Sequence, residues 1–209
     1  MGDKDYQICD AAALESVIGE PMDIARQKVT TKINDAMKAF IAASPLAMVS
    51  TIDENGRVEV SPKGDPAGFV KVDGNGDLLI PERPGNRLTF VFHNILRNRE
   101  IGLLFLAPHQ RETLRIKGTA TLHRDPDVLD SMSVNGRPAL LYTRVEVNEC
   151  FFHCGKALIR STLWQPDHWP EKTGSIVSVY RLIGKEARNA EEERKAEAAL
   201  ERTYTDELY

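Results

Sequence analysis

Cysteine is scarce in this chain: there are three, Cys9, Cys150 and Cys154, an odd set with no CxxC spacing. That pattern argues against a disulfide framework and against a cysteine-based zinc site, and leaves free thiols as the expected state. Positive charge is not in excess either, since Lys+Arg 27 stand against Asp+Glu 31 for a net charge of -4. Nucleic-acid binders are more often basic, so no nucleic-acid partner is expected, and any anionic ligand needs a local basic site. No uninterrupted apolar run is long enough to span a bilayer, and no charged stretch followed by an apolar one opens the chain. A cytoplasmic protein with no membrane partner is the expectation. A Rossmann glycine fingerprint for a dinucleotide is missing too, as are internal repeats.

What is present reads as one globular domain. With 209 residues, 42% hydrophobic and 28% charged, the chain can bury a core, and a second full domain would be cramped. After weak helical signals over residues 1 to 19, apolar residues recur from Ile24 to Ile41, predicting one helical segment over about 20–43 that Ser44 and Pro45 end. Strand-like runs follow at Leu46 to Ile52, Arg57 to Pro62, Gly68 to Val72, Asp77 to Ile80, Glu100 to Ala107, Glu112 to His123 and Ala139 to His153. Two of the turns between them, Asp53-Glu54-Asn55-Gly56 and Asp73-Gly74-Asn75-Gly76, suit tight hairpins. Leu88, Val91, Phe92, Ile95 and Leu96 keep helical spacing after Asn86, a plausible N-cap, and Asp125-Pro126 opens a short helix. The expectation is a mainly β protein: a six-stranded antiparallel barrel over about 46–153, closed or nearly so, with flanking N- and C-terminal helices, the last over about 154–209.

One stretch gathers the residues of a ligand site. Residues 60–87, VSPKGDPAGFVKVDGNGDLLIPERPGNR, place Ser61 and Lys63 at a strand end and Arg83, Asn86 and Arg87 just before a helix. Taken singly these are ordinary surface residues. Together, three cations, a hydroxyl and a helix N-terminus suit a phosphate, because guanidinium forks and oriented N–H groups both favour an anion.

Other residues are less decisive. Thr113 and Arg115 share a strand face, where they either line one cavity or stand as an ordinary exposed strand pair, and the sequence does not choose. In CFFHCGKALIRSTLW, Lys156 and Arg160 lie four apart on a short helix predicted over 154–161, below a strand that ends in His153. Adjacent strand residues point to opposite faces, so His153 and Cys154 are not expected to act as base and nucleophile. Trp164 and Trp169 are packing residues or, for one of them, an aromatic beside a flat heterocycle. No catalytic set emerges.

The order of VSPKG, IPERPGNR, HNILRNREIGLLFL, TLRIKGTA and HCGKALIRSTLW resembles the pyridoxamine 5′-phosphate oxidase-like FMN-binding split-barrel superfamily over roughly residues 40 to 170, and within it a bacterial subgroup of FMN-dependent flavoproteins. The resemblance implies FMN as cofactor, with its phosphate held by Lys63, Arg83, Asn86 and Arg87 and its ring approached by Thr113. It also implies a homodimer with flavin at the subunit interface, where Lys156, Arg160 and Trp164 reach the partner's flavin. The chain departs from better-known members at Arg57, displaced by one residue from their second-strand arginine, and YTDELY lacks the Arg and His that true pyridoxamine phosphate oxidases use on substrate. Two classes of function follow: an oxidoreductase passing electrons between a reduced donor and a small-molecule acceptor, or a protein that binds or senses a flavin, a deazaflavin or haem without turnover.

Overall fold

In the computed structural model, which describes residues 6–171 and 189–206, one antiparallel sheet organises the chain. Its strands are β1 (Leu46–Ile52), β2 (Val58–Gly64), β3 (Lys71–Val72), β4 (Leu78–Glu82), β5 (Glu100–Leu106), β6 (Thr113–His123) and β7 (Leu141–His153). They lie side by side in the order β2-β1-β5-β6-β7-β4-β3. The sheet therefore has seven strands rather than the expected six, and it is not closed. β2 pairs with β1 alone, and β3 with β4 alone. Both strands that face the opening carry a proline, Pro62 in β2 and Pro81 in β4, and a proline has no N–H with which to continue a ladder. Side chains cross the opening instead: Lys63 of β2 meets Glu82 of β4, and Arg83 meets Asp65.

The alternation of each strand sorts the two faces. Ala47 and Val49 of β1, Ile101, Leu103 and Phe105 of β5, and Leu114 and Ile116 of β6 all point into the core. Helix α3 (Asp35–Ala43) closes it with Met37, Phe40 and Ile41, and α4 (Phe90–Asn98) with Val91 and Ile95. The buried Asn94 of α4 donates its side-chain amide to Thr51 Oγ1 at 3.0 Å, which fixes α4 on β1. Both Asn-Gly turns have the same construction. The first aspartate's Oδ1 accepts two backbone N–H groups, and Gly56 and Gly76 take positive φ.

Elsewhere the chain departs from its sequence pattern. The single helix expected over about 20–43 is two, α2 (Asp23–Gln27) and α3, with α1 (Ala11–Ile18) before them. Between them β-branched Thr30 joins the edge of β7, exchanging two backbone hydrogen bonds with Cys150 at 3.0 and 2.7 Å. The edge is open there because β4 covers only Leu141 to Val145 of β7. Asn34 then caps α3, its side chain accepting from Met37 N at 2.9 Å. Near the opening, α4 starts at Phe90 rather than just after Asn86, whose side chain instead accepts from Leu88 N in a turn. Asp125 caps α5 (Pro126–Ser131) as its sequence predicts, and α6 (Lys156–Arg160) follows β7. Of the helical pattern expected from Ser175 onward, α7 (Ala190–Asp206) is seen, while 172–188 and 207–209 lie outside the described residues, as do the side chains of 24 and 25. Among the described residues no helix is long and apolar enough to cross a membrane.

Candidate functional site

β2 places Ser61 and Lys63 on its core-facing side, opposite the buried Val49 and Ala47 of β1. The Lys63 ammonium lies within hydrogen-bonding reach of Glu82 Oε2 and 5.0 Å from the centroid of the Phe92 ring. Glu82 is buried, and its other oxygen accepts from Thr143 Oγ1 at 2.8 Å. Burial pushes the Glu82 carboxyl above the usual carboxylate range, and the positive charge of Lys63 opposes that shift. Arg83 is held as firmly: its Nε donates to Asp65 Oδ2 at 2.7 Å and its Nη2 to the Met132 carbonyl at 2.6 Å. These two cations are thus fixed by buried carboxylates across the split of the sheet.

The rest of the loop is open. Asn86 and Arg87 are exposed, and Arg87 has φ 62, a left-handed conformation that costs a residue with a Cβ about 1–2 kcal/mol. The backbone N–H groups of Gly85, Asn86 and Arg87 meet no acceptor among the described residues. Three successive unpaired amides, an exposed guanidinium beside them and two immobilised cations behind fit the requirements of a phosphate. Strain of this kind persists where the surroundings or a ligand favour it.

Thr113 lies elsewhere. The outer face of the sheet carries a groove of about 710 Å³, lined by Met48, Ile52, Val58, Val60, Leu104 and Leu106 with Thr113, Arg115, Phe151 and His153 at the β6–β7 end. Its floor is apolar and its outer rim exposed: Val58 is 68% and Val60 54% accessible. Within one chain, therefore, Thr113 does not join Lys63 and Arg83, because the sheet separates their faces. Lys156 and Arg160 sit exposed on α6, and Trp164 is half-buried with its indole N–H on the Gln110 carbonyl at 2.8 Å.

His153 and Cys154 both line the groove, contrary to the alternation expected of them, because β7 ends at His153 and alternation stops there. No hydrogen bond joins them, and His153 Nδ1 is buried without a partner among the described residues. Burial, and then the positive charges of Arg115 and Lys28, hold the His153 imidazole below its ordinary range. The residues that sequence reasoning missed are Glu82 and Asp65. Each stands within two residues of a chosen cation, an acidic signal visible in PKGDP and PERP, but their pairing across the split is not local.

Comparisons with known proteins found solved structures of limited similarity. HupZ from Group A Streptococcus is 22% identical, with 57% of this chain and 93% of that chain covered at a TM-score of 0.46. An F420 reductase is 14% identical over 58% of this chain and 98% of its own, at 0.43. General Stress Protein 26 from Bacillus anthracis is 13% identical over 55% and 88%, at 0.41. No curated protein matches. The family model described as pyridoxamine 5′-phosphate oxidase matches residues 33–154, more than half of the chain and the whole of the sheet. The chain belongs to the pyridoxamine 5′-phosphate oxidase family, whose members bind flavins.

Proposed function

We propose that the protein is an FMN-dependent oxidoreductase that passes electrons between a reduced donor and a small-molecule acceptor, and that it works as a homodimer. The observation that carries this reading is the open 83–89 loop, with three unpaired amides and Arg87 backed by Lys63 and Arg83, each pinned by a buried carboxylate. In this reading the loop amides and Arg87 take the phosphate, while Ser61, Lys63 and Asn86 border it. Glu82 and Asp65 hold Lys63 and Arg83 in place, so that little ordering remains to be done on binding. When bound, FMN supplies the redox chemistry, accepting and releasing electrons, and the chain places and shields it. The groove on the outer face, with Thr113 at one end, receives the ring end of the FMN whose phosphate a second copy holds, and Lys156, Arg160 and Trp164 of the groove's own chain reach that flavin. A monophosphate grip suits FMN better than a dinucleotide.

The absorbance spectrum of the purified protein, with identification of what it releases on denaturation, tests the cofactor: FMN is expected, and FAD, haem or a deazaflavin as the main species overturns it. Anaerobic stopped-flow tests the chemistry. Bound FMN should be reduced by a nicotinamide donor or a chemical reductant and reoxidised by oxygen or an added acceptor. Cys154→Ser should stay within about tenfold of wild type in reduction rate, about 1.4 kcal/mol in barrier. Flavin that stays inert in both would assign the protein to binding rather than turnover.

A further inference from the structure

Beside the β6–β7 end of the groove, which Arg115 and Phe151 line, stands a second concentration of positive charge that the phosphate loop does not use. Register places Arg115 opposite Phe151 and Thr113 opposite His153. Phe151 is faced by two cations, with Lys28 Nζ 5.3 Å and Arg115 Cζ 5.5 Å from its ring centroid. Lys28 comes from far away in sequence, and the Thr30–Cys150 bridge two residues later fixes it there. Among the described residues neither Lys28 nor Arg115 pairs with a carboxylate, whereas their neighbour Lys117 is paired with Glu149 at 2.8 Å. His153 lines the same end with its Nδ1 buried and unpartnered. Two cations drawn to one ring, neither paired with a carboxylate among the described residues, repel one another unless an anion enters.

The groove that leads to them is apolar, with Met48, Ile52, Val58, Val60, Leu104 and Leu106 along it. An apolar channel of about 710 Å³ ending in a cationic pocket matches a ligand that is itself apolar with one acidic end. We propose that Lys28, Arg115 and His153 form an anion-binding subsite that takes the carboxylate of a small amphipathic organic acid lying in the groove. The carboxylate accepts from the Arg115 guanidinium and the Lys28 ammonium, and the body of the acid lies on the sheet toward β5 and β1. Where FMN binds as proposed above, this places an organic acid beside Thr113 and hence beside the ring, as the small molecule with which electrons are exchanged. That adjacency rests on the proposed function, but the acid site itself does not.

Calorimetric titration of the intact protein with 1-naphthoate and its neutral isostere 1-naphthamide tests the subsite. Wild type should bind naphthoate at least about tenfold more tightly than the amide, which is about 1.4 kcal/mol. Arg115→Gln and Lys28→Gln, both at exposed positions, should each reduce that preference, and the double variant should abolish it. Lys38→Gln, at an exposed position on α3 outside both sites, should leave it unchanged. Equal binding of the two probes, binding of neither, or a preference that survives in the double variant overturns the proposal. So does loss of the preference in Lys38→Gln, which would show that any lost surface charge has the same effect. A fall in the mass of Arg115→Gln by light scattering overturns it as well, since the cations would then be serving a contact between copies. Failure of the flavin reading shows separately, as colourless protein that keeps its naphthoate preference.

Discussion

Lys63 and Glu82 form the pair on which most at the opening depends, and they are unequal partners. The Lys63 side chain keeps 17% of its surface accessible and that of Glu82 only 5%, so the carboxylate bears most of the desolvation. Lys63→Met should cost about 3 kcal/mol in urea unfolding of the flavin-free protein, because Glu82 must then stay buried without its cation or take up a proton. Adding Glu82→Gln to it should recover much of that loss, since the amide still accepts from Thr143. Stability that falls further in the double variant would show that the pair is not the source. Arg83 and Arg87 should part company for a similar reason. Arg87→Ala, at an exposed position, should weaken FMN at least about tenfold and leave riboflavin nearly unaffected, as expected of one charge-assisted contact to phosphate. Arg83→Ala should weaken both ligands and lower the melting temperature, because it also releases Asp65 and the Met132 carbonyl. Equal losses of FMN and riboflavin in Arg87→Ala would remove it from the phosphate site. His153 gives a pH dependence of known sign. Its folded pKa lies below the ordinary 6.5, so the unfolded chain binds more protons in that window. The stability it contributes is present above 6.5 and is lost as pH falls through 6.5 toward the folded value. His153→Asn should flatten this part of the profile, and thermal melts from pH 7.5 to 5.5 that superimpose for both proteins would refute the assignment.

Among the elements, β6 and β7 make the longest ladder, and its register slips once, between Lys117 and Gly118. A Cβ on Gly118 would press into the Glu146 carbonyl oxygen and come 2.6 Å from Val145 Cγ1, both belonging to the facing strand. Gly118→Ala should therefore destabilise by about 1–3 kcal/mol, as overpacking does, with denaturant unfolding as the measure; a neutral result would mean that the bulge absorbs the methyl. A glycine inside a strand pattern is the local mark of such a bulge, but Glu112 to His123 reads simply as one long strand. The strands β1 and β5, as strand-like runs, and the two Asn-Gly turns were legible, because run length and turn chemistry are local. The break between α2 and α3 was not. Thr30 leaves the helical path for an edge of β7 that lies 120 residues on, and only the shortness of β4 opens that edge. The start of α4 was misplaced because Asn86 can cap a turn as readily as a helix, and its neighbour Arg87 takes a left-handed φ that its residue type does not announce. At the candidate site the cations were legible and their buried partners Asp65 and Glu82 were not, since each pairing spans the split between strands that are not paired in the sheet.

At the scale of the whole molecule, the two halves of the proposed flavin site sit on opposite faces of one sheet, and neither is sufficient in one chain. The phosphate loop is at the split, while Thr113 and the groove are outside it. The outer face is also apolar where a monomer would be polar: Ile52 and Val58, directly opposite each other, and Val60 next along β2 are 38%, 68% and 54% accessible, and Leu46, at the other end of the same face, is 39% accessible. Covering such a patch with a second copy removes apolar surface from water at about 25 cal/mol per Å² before the costs of association, and two-fold symmetry brings each loop to the other's groove at once. Light scattering should accordingly give a mass of about twice 23.4 kDa. Val60→Asp, which puts a charge into the centre of that patch without touching the loop, should shift the protein toward monomer. It should lose FMN in parallel, because each flavin then loses the half of its site that the other chain supplies. The parallel is the decisive part. A monomeric variant that still binds one FMN per chain with wild-type affinity would place the whole site within a single copy, and wild type at the mass of one chain with FMN fully bound would do the same more simply.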